Sequence, residues 1–249
     1  MSDIKTPEQI KAMHRAGKIL AACHQQISKR IRPGVSTLEI DRFVEKYLKQ
    51  YGATAEQKGY MGYPNAICAS VNDVICHGIP NDIPLKEGDI VTIDFVVNKD
   101  GWLADSAWSY AVGKISKTAD HLMKTTLAAL KAGISQAKPG NRIGHISHAI
   151  QEIAKKAGFS VVQEFVGHGI GQKIHEPPAV PHFGPIHSGE LIREGMVFTI
   201  EPMLNVGSRK VTLDDDGWTA RTVDGSLSAQ YEHTLAIQNG KPLILTEQV

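Results

Sequence analysis

Four stretches of the chain place apolar residues at helical spacing, and most of the remainder alternates apolar with polar. Thr6-Pro7-Glu8-Gln9 opens the first helix with a capping hydroxyl, a proline in the first turn and a glutamine at the third helical position. Ile10, Met13, Gly17, Leu20 and Ile27 then share one face. Ser36 with Glu39 makes a second capping box, followed at helical spacing by Ile40, Phe43, Val44, Tyr47 and Leu48. Two further helices are predicted near 117–137 and 142–157. Strand patterns dominate 65–112 and 161–245, broken by the turn signals "NKDG", "DDDG" and "VDGS". Helices followed by strands, twice over, predict an α+β fold.

The two rounds resemble each other in detail. "LKEGDIVTIDF" (85–95) aligns without gaps on "IREGMVFTIEP" (192–202), an offset of 107. Pro33-Gly34 matches Pro139-Gly140, and the helical patterns after them stop at Gly52 and Gly158, both at an offset of 106. "HGIP" (77–80) matches "HGIG" (168–171) at an offset of 91, so loop lengths differ between the rounds. Offsets this long are not those of solenoid repeats, which run about 20–50 residues. The expectation is one domain over 1–249, made of two similar halves facing each other, about 1–113 and 114–249.

Composition narrows the class. With 249 residues, 42% of them hydrophobic, the chain can bury a sizeable core. Its 27 basic and 26 acidic residues nearly cancel, which argues against a nucleic-acid surface. Three cysteines are too few and too odd for a disulfide framework and suit a reducing compartment. No apolar run has signal-peptide or membrane-spanning length. A soluble, cytoplasmic, monomeric protein is expected, with no membrane partner and no specific nucleic acid.

Against that pattern, "GDIVTIDF" (88–95) sets Asp94 among Ile90, Val91, Ile93 and Phe95. An uncompensated charge there costs several kcal/mol. Alternation puts Val91, Ile93, Phe95 and Val97 on a helix-facing side and Thr92 with Asp94 on the other. The repeated strand does the same with Met196, Phe198 and Ile200 against Thr199 and Glu201. "NKDG" (98–101) predicts a type I turn with Gly101 left-handed, setting Asp94 opposite Asp105 to within one residue. Two acids so placed repel unless they share a proton or bind a cation. A singly buried acid needs only backbone partners, but that does not account for Glu201 at the same place in the repeat. Glu232 stands on an apolar strand in "AQYEHTLAI", and His168 sits among glycines in "EFVGHGIGQKIHEPP". His14, His24, His121, His145, His148, His182 and His187 are read as structural, and His233 as facing away from Glu232.

Asp94, Asp105, His168, Glu201 and Glu232, in that order, resemble the five metal ligands of the pita-bread metallopeptidases, and within them those of type I methionine aminopeptidases. "ASVNDVICHGIP" (69–80), "GHGIGQKIHEPP" (167–178) and "TIEPM" (199–203) are similar to that family's signatures. The resemblance implies a pita-bread fold of two pseudo-symmetric halves and a hydrolase that removes methionine from a peptide or nascent-protein N-terminus, at the ribosome included, when the second residue is small. It implies two divalent ions, from among Co, Mn, Fe and Zn, bridged by Asp105 and Glu232. Asp94 would chelate one ion, and His168 with Glu201 would hold the other. Glu201 would also carry a proton, while His77 and His175 contact the substrate. Tyr63, Cys68, Ile174 and Trp218 are the expected methionine pocket, with Ile174 where relatives often carry an aromatic ring. Met61 stands where some relatives have a polar residue.

Rival readings are an Xaa-Pro aminopeptidase or prolidase of the same fold, and a pita-bread binding protein without catalysis. The first usually carries an additional N-terminal domain; the second typically lacks ligands, whereas all five are present here. A two-metal phosphoesterase would want a cationic phosphate site. A cysteine peptidase using Cys76 and His77 is disfavoured because neighbours on a strand point to opposite faces.

Overall fold

The computed structural model describes residues 2–248. Helices α1 (Pro7–Ser28) and α2 (Thr37–Gln50) come first, followed by strands β1 (Thr54–Ala55), β2 (Cys68–Val71), β3 (Val74–Cys76), β4 (Ile90–Lys99) and β5 (Trp102–Ala111). The order then recurs with α3 (Lys117–Gln136), α4 (Ile143–Ala157), β6 (Ser160–Val161), β7 (Gly167–Gly169), β8 (Glu176–Val180), β9 (Val197–Ile200) and β10 (Met203–Asn205). It closes with β11 (Val211–Leu213), β12 (Ala220–Thr222), β13 (Ser228–Gln230), β14 (His233–Gln238) and β15 (Lys241–Ile244). Both predicted capping boxes form. Thr6 Oγ1 accepts the Gln9 N–H at 3.3 Å while Gln9 Oε1 accepts that of Thr6 at 2.8 Å. Ser36 and Glu39 repeat the exchange at 3.2 and 2.8 Å.

The α+β expectation holds, with antiparallel pairing throughout the sheets. β4 pairs with β1, β2 and β5, and a five-stranded sheet runs β15-β14-β9-β7-β8. Helices cover one face of each. Leu20 and Ile27 of α1 and Ile40 and Val44 of α2 pack on Val91, Ile93, Phe95 and Val97. Leu122 and Leu130 of α3 and Ile146 and Ile150 of α4 pack on Met196, Phe198, Ile200, Leu235 and Ile237. Each such side chain contributes roughly 1.5–3 kcal/mol when fully buried. The predicted helix-facing residues of both carboxylate strands are therefore in the cores, and Asp94 and Glu201 leave on the other face.

The faces turned away from the helices meet. The Glu232 N–H donates to Ala107 O at 2.8 Å, and Ser106 Oγ donates to Glu232 O at 2.9 Å. The Asp105 N–H donates to Thr234 Oγ1 at 2.9 Å. Asp105 on β5 and Glu232 between β13 and β14 are thus fixed by one set of bonds across the two sheets.

The β4–β5 hairpin corrects the expected register. Lys99 pairs with Trp102, so the loop has two residues, and both Asp100 (φ 54°) and Gly101 (φ 80°) are left-handed. This is a type I′ geometry, whose twist matches that of the strands. Asp94 lies opposite Ala107, and Asp105 opposite Val96. The two acids share a face as diagonal neighbours rather than direct partners. A second correction concerns Cys76 and His77. β3 ends at Cys76 and His77 is left-handed (φ 57°), so strand alternation stops there and both residues line the same cavity.

Candidate metal centre

Asp94 is held at mid-strand, between Cys68 of β2 and Ala107 of β5. β5 supplies Asp105, β7 supplies His168, and Glu201 follows the last residue of β9. These four and Glu232 line one cavity of about 340 Å³. Ligand atoms of Asp105, His168 and Glu232 all lie within 4.8 Å of one another. His168 Nε2 is 3.7 Å from Asp105 Oδ2 and 3.6 Å from Glu201 Oε1.

This arrangement is unfavourable without a cation. Burial pushes Asp105 up to about 7, and burial followed by the Asp105 charge pushes Glu201 up to about 8. Asp94 and Glu232 are raised well above the ordinary carboxylate range, first by loss of solvent and then by their acidic neighbours. His168 is lowered to about 4, mainly by burial, and is neutral at pH 7. Its Nδ1–H donates to Gly169 O at 3.0 Å, which leaves the Nε2 lone pair facing the carboxylates. Asp105 Oδ1 and Glu232 Oε1 are buried with no hydrogen-bond partner among the described residues. A neutral imidazole lone pair and unpaired carboxylate oxygens around one point are donors for a divalent cation, so the residues fit a metal of the type that takes oxygen and imidazole ligands.

Outer partners fix these side chains, as metal sites require. Thr199 Oγ1 donates to Glu201 Oε1 at 2.8 Å and accepts the His168 N–H at 3.1 Å. The Glu201 N–H donates to His182 Nε2 at 3.1 Å, so the histidine read as structural supports a candidate ligand directly. Gln230 Nε2 donates to Glu201 Oε2 at 3.4 Å. Gln57 spans the ladder beside Asp94, its Nε2 donating to Asp94 O at 3.1 Å and its Oε1 accepting the Val96 N–H at 2.6 Å. Gln230 lies two residues before Glu232 and was accessible from strand alternation. Gln57 carries no such signal.

His77, His175, Tyr63, Cys68, Ile174 and Trp218 line the same cavity. His77 meets Phe165 edge-on at 5.2 Å and Trp218 at 6.3 Å, and burial lowers it to about 4. Tyr63 packs edge-on against Trp218 at 5.1 Å and donates to the Ile67 and Gly78 carbonyls, each at 3.0 Å. Burial raises the Cys68 and Cys76 thiols well above their ordinary value, which removes thiolate chemistry from both. His175 lies 4.4 Å from the His168 ring and receives Tyr60, a lining residue the sequence reading passed over. Phe165 and Met203 add apolar wall that was likewise not foreseen.

Residues 11–239 match the metallopeptidase family M24. Over 233 residues the chain is 47% identical to methionine aminopeptidase 1 of Bacillus subtilis, covering 94% of each chain. It is 43% identical over 245 residues to the methionine aminopeptidase of Escherichia coli K12, covering 98% of this chain and 93% of that one. The crystal structure of methionine aminopeptidase from Rickettsia prowazekii superposes with a TM-score of 0.98 at 40% identity, covering 99% of this chain and all of that one. A prolidase from Pyrococcus furiosus shares the fold at a TM-score of 0.78 and 23% identity, matching 98% of this chain to 65% of its own.

Proposed function

We propose, from the premise that the chain belongs to metallopeptidase family M24, that it is an aminopeptidase releasing methionine from peptides and nascent proteins whose second residue is small. The observation that carries this reading is one cavity in which five candidate ligands, two histidines and an apolar pocket meet. Its fold is the pita-bread arrangement of the relatives it superposes on. The chain is read as a single catalytic domain of two related halves, about 1–113 and 114–249, acting as a cytoplasmic monomer on N-termini including those leaving the ribosome. Among the described residues no helix is long and apolar enough to cross a membrane.

Divalent metal is required, and the reading here is two ions from among Mn, Fe, Co and Zn. Asp94, Asp105, His168, Glu201 and Glu232, which line the one cavity, would hold them. Bound there, such ions lower the pKa of water towards about 7 and polarise the scissile carbonyl. Glu201, held from both sides by Thr199 and Gln230, takes the proton that the nucleophile releases and returns it to the leaving amine. His77 and His175 are neutral at pH 7 because burial lowers both, so each has one N–H to donate to the substrate as charge develops.

Specificity follows from the walls. An unbranched thioether suits a pocket formed by Tyr63, Cys68, Ile174 and Trp218. A bulky second residue disturbs the alignment of about 3–3.5 Å that attack requires. Ile174 is smaller than an aromatic ring and loosens the pocket for leucine or norleucine. The test is a peptide series Xaa-Ala-Ser against Met-Xaa-Ser, assayed with Mn, Co, Fe and Zn in turn. Methionyl peptides with Gly, Ala or Ser second should be cut fastest, and those with Phe second barely at all. Cleavage confined to Xaa-Pro bonds would instead assign the chain to the prolidases.

A further inference from the structure

Three residues of the turn from Gly59 to Tyr63, namely Tyr60, Met61 and Tyr63, line the cavity. Gly59 (φ 89°), Met61 (φ 47°) and Gly62 (φ 89°) are all left-handed, and the Gly59 N–H closes the loop on Tyr63 O at 2.7 Å. Met61 is 80% exposed, so its side chain gains almost nothing from burial to offset an uncommon conformation for a non-glycine residue. What the turn does achieve is to aim Tyr60. The Tyr60 hydroxyl lies 2.9 Å from His175 Nδ1, with the two rings 5.6 Å apart. A costly local conformation that delivers one contact to a site residue points to a role for that contact.

The contact matters because an imidazole has two faces. His168 is settled by its carbonyl partner, since Gly169 O can only accept and forces the proton onto Nδ1. A carbonyl on His175 Nδ1 would do the same and leave Nε2 a bare lone pair. His175 has a phenol there instead. A phenol is the stronger acid of the two, and imidazole nitrogen the stronger base, so the hydroxyl donates and Nδ1 accepts. The remaining proton then sits on Nε2. With that donor direction the two neighbouring histidines of the cavity would stand in opposite tautomers, one offering a lone pair and the other an N–H.

We propose that Tyr60 is a positioning residue, which fixes His175 as the Nε2–H tautomer and so makes it a hydrogen-bond donor to the substrate. The proposal rests on the functional reading above, in which His175 contacts the peptide. It assigns to one lining residue of an exposed turn a share in the reaction beyond shaping the pocket. It also gives the left-handed conformation at Met61 a purpose, which is to hold the neighbouring phenol at the ring.

The experiment uses the zinc-loaded full chain with 15N in its imidazole rings. The His175 signals are identified by their loss in His175→Gln. Expected are an unprotonated, hydrogen-bonded Nδ1 and a protonated Nε2 in the absence of substrate. A proton on Nδ1 would overturn the proposal whatever the activity. In parallel, Tyr60→Phe keeps the ring and removes the donor. Its kcat on Met-Ala-Ser should fall about fivefold to tenfold, the size of one lost neutral hydrogen bond, with KM and zinc affinity held. An unchanged kcat, or a fall matched by weaker zinc binding, would reduce Tyr60 to a structural residue. If wild type leaves methionyl peptides uncut, the functional reading fails instead, and the tautomer measurement still decides the Tyr60–His175 geometry.

Discussion

Asp105 is 6% exposed and its Oδ1 has no hydrogen-bond partner among the described residues, yet it stands next to Glu232, which is 1% exposed and has an oxygen likewise unpaired among them. Nothing in local packing rewards that pairing, so Asp105→Asn separates the two roles of the residue. It should weaken divalent-metal binding severely, because a neutral amide replaces one of the carboxylates grouped around the candidate metal position. The same change should make the metal-free protein more stable at pH 8, because one of several mutually repelling charges is gone. Isothermal titration with Mn or Zn, together with urea unfolding in the presence of a chelator, measures both. Unaltered metal binding would remove Asp105 from the ligand set. The acids were legible in the sequence because a carboxylate inside an apolar strand breaks a local rule, and the break recurs at Glu201. Gln57, Tyr60 and His182 were not. Each acts by reaching across the fold, over 37, 115 and 19 residues, with no periodicity to mark it.

Helix α1 carries Gly17 in the middle of its buried face, where helix propensity alone would favour Ala by about 1 kcal/mol. A Cβ there would lie 2.0 Å from Leu245 O, a backbone atom. That carbonyl cannot easily retreat. The Leu245 N–H is bonded to Thr234 O at 2.9 Å, and Thr246 Oγ1 is 2.9 Å from His233 Nδ1, beside Glu232. Overpacking costs typically about 1–3 kcal/mol, so it outweighs the propensity gain. Gly17→Ala should lower stability to urea by about 1–2 kcal/mol; a variant as stable as wild type would show that the helix and the C-terminal segment separate freely. Helices, caps and the two carboxylate strands could be read from spacing and capping residues, since those signals are local. The hairpin register could not, because Asp100-Gly101 fits both a two-residue type I′ loop and a longer type I loop, and the choice moves every partner by two. Nor could the close approach at Gly17, which depends on a residue 228 positions away.

At the centre of the molecule two helix-backed sheets turn their inner faces to a cluster of acids, so its stability depends on what neutralises that cluster. In the metal-free protein burial holds Asp105 near 7 and Glu201 near 8, above their ordinary values of 3.8 and 4.5, and Asp94 and Glu232 are raised as well. Between the ordinary and the raised values the folded state binds more protons than the unfolded one. The derivative of unfolding free energy with pH is therefore negative across that window. Chelated protein should be most stable near the bottom of it and should lose stability from about pH 4.5 to about pH 8, subject to the opposite trend of His24, His77, His168 and His233. Burial lowers each of these to about 4, which destabilises the fold below about pH 6. The two trends leave a maximum near pH 6 and a decline above it that belongs to the acids alone. Divalent metal competes with protons for the same oxygens, so loading should abolish the decline and raise stability most at pH 8. Urea midpoints at pH 6, 7 and 8, with chelator and with Mn, test this. Equal midpoints at pH 6 and pH 8 in chelator would mean that the acids are relieved by solvent entering the cavity, and the charge cluster would then not be what the metal stabilises.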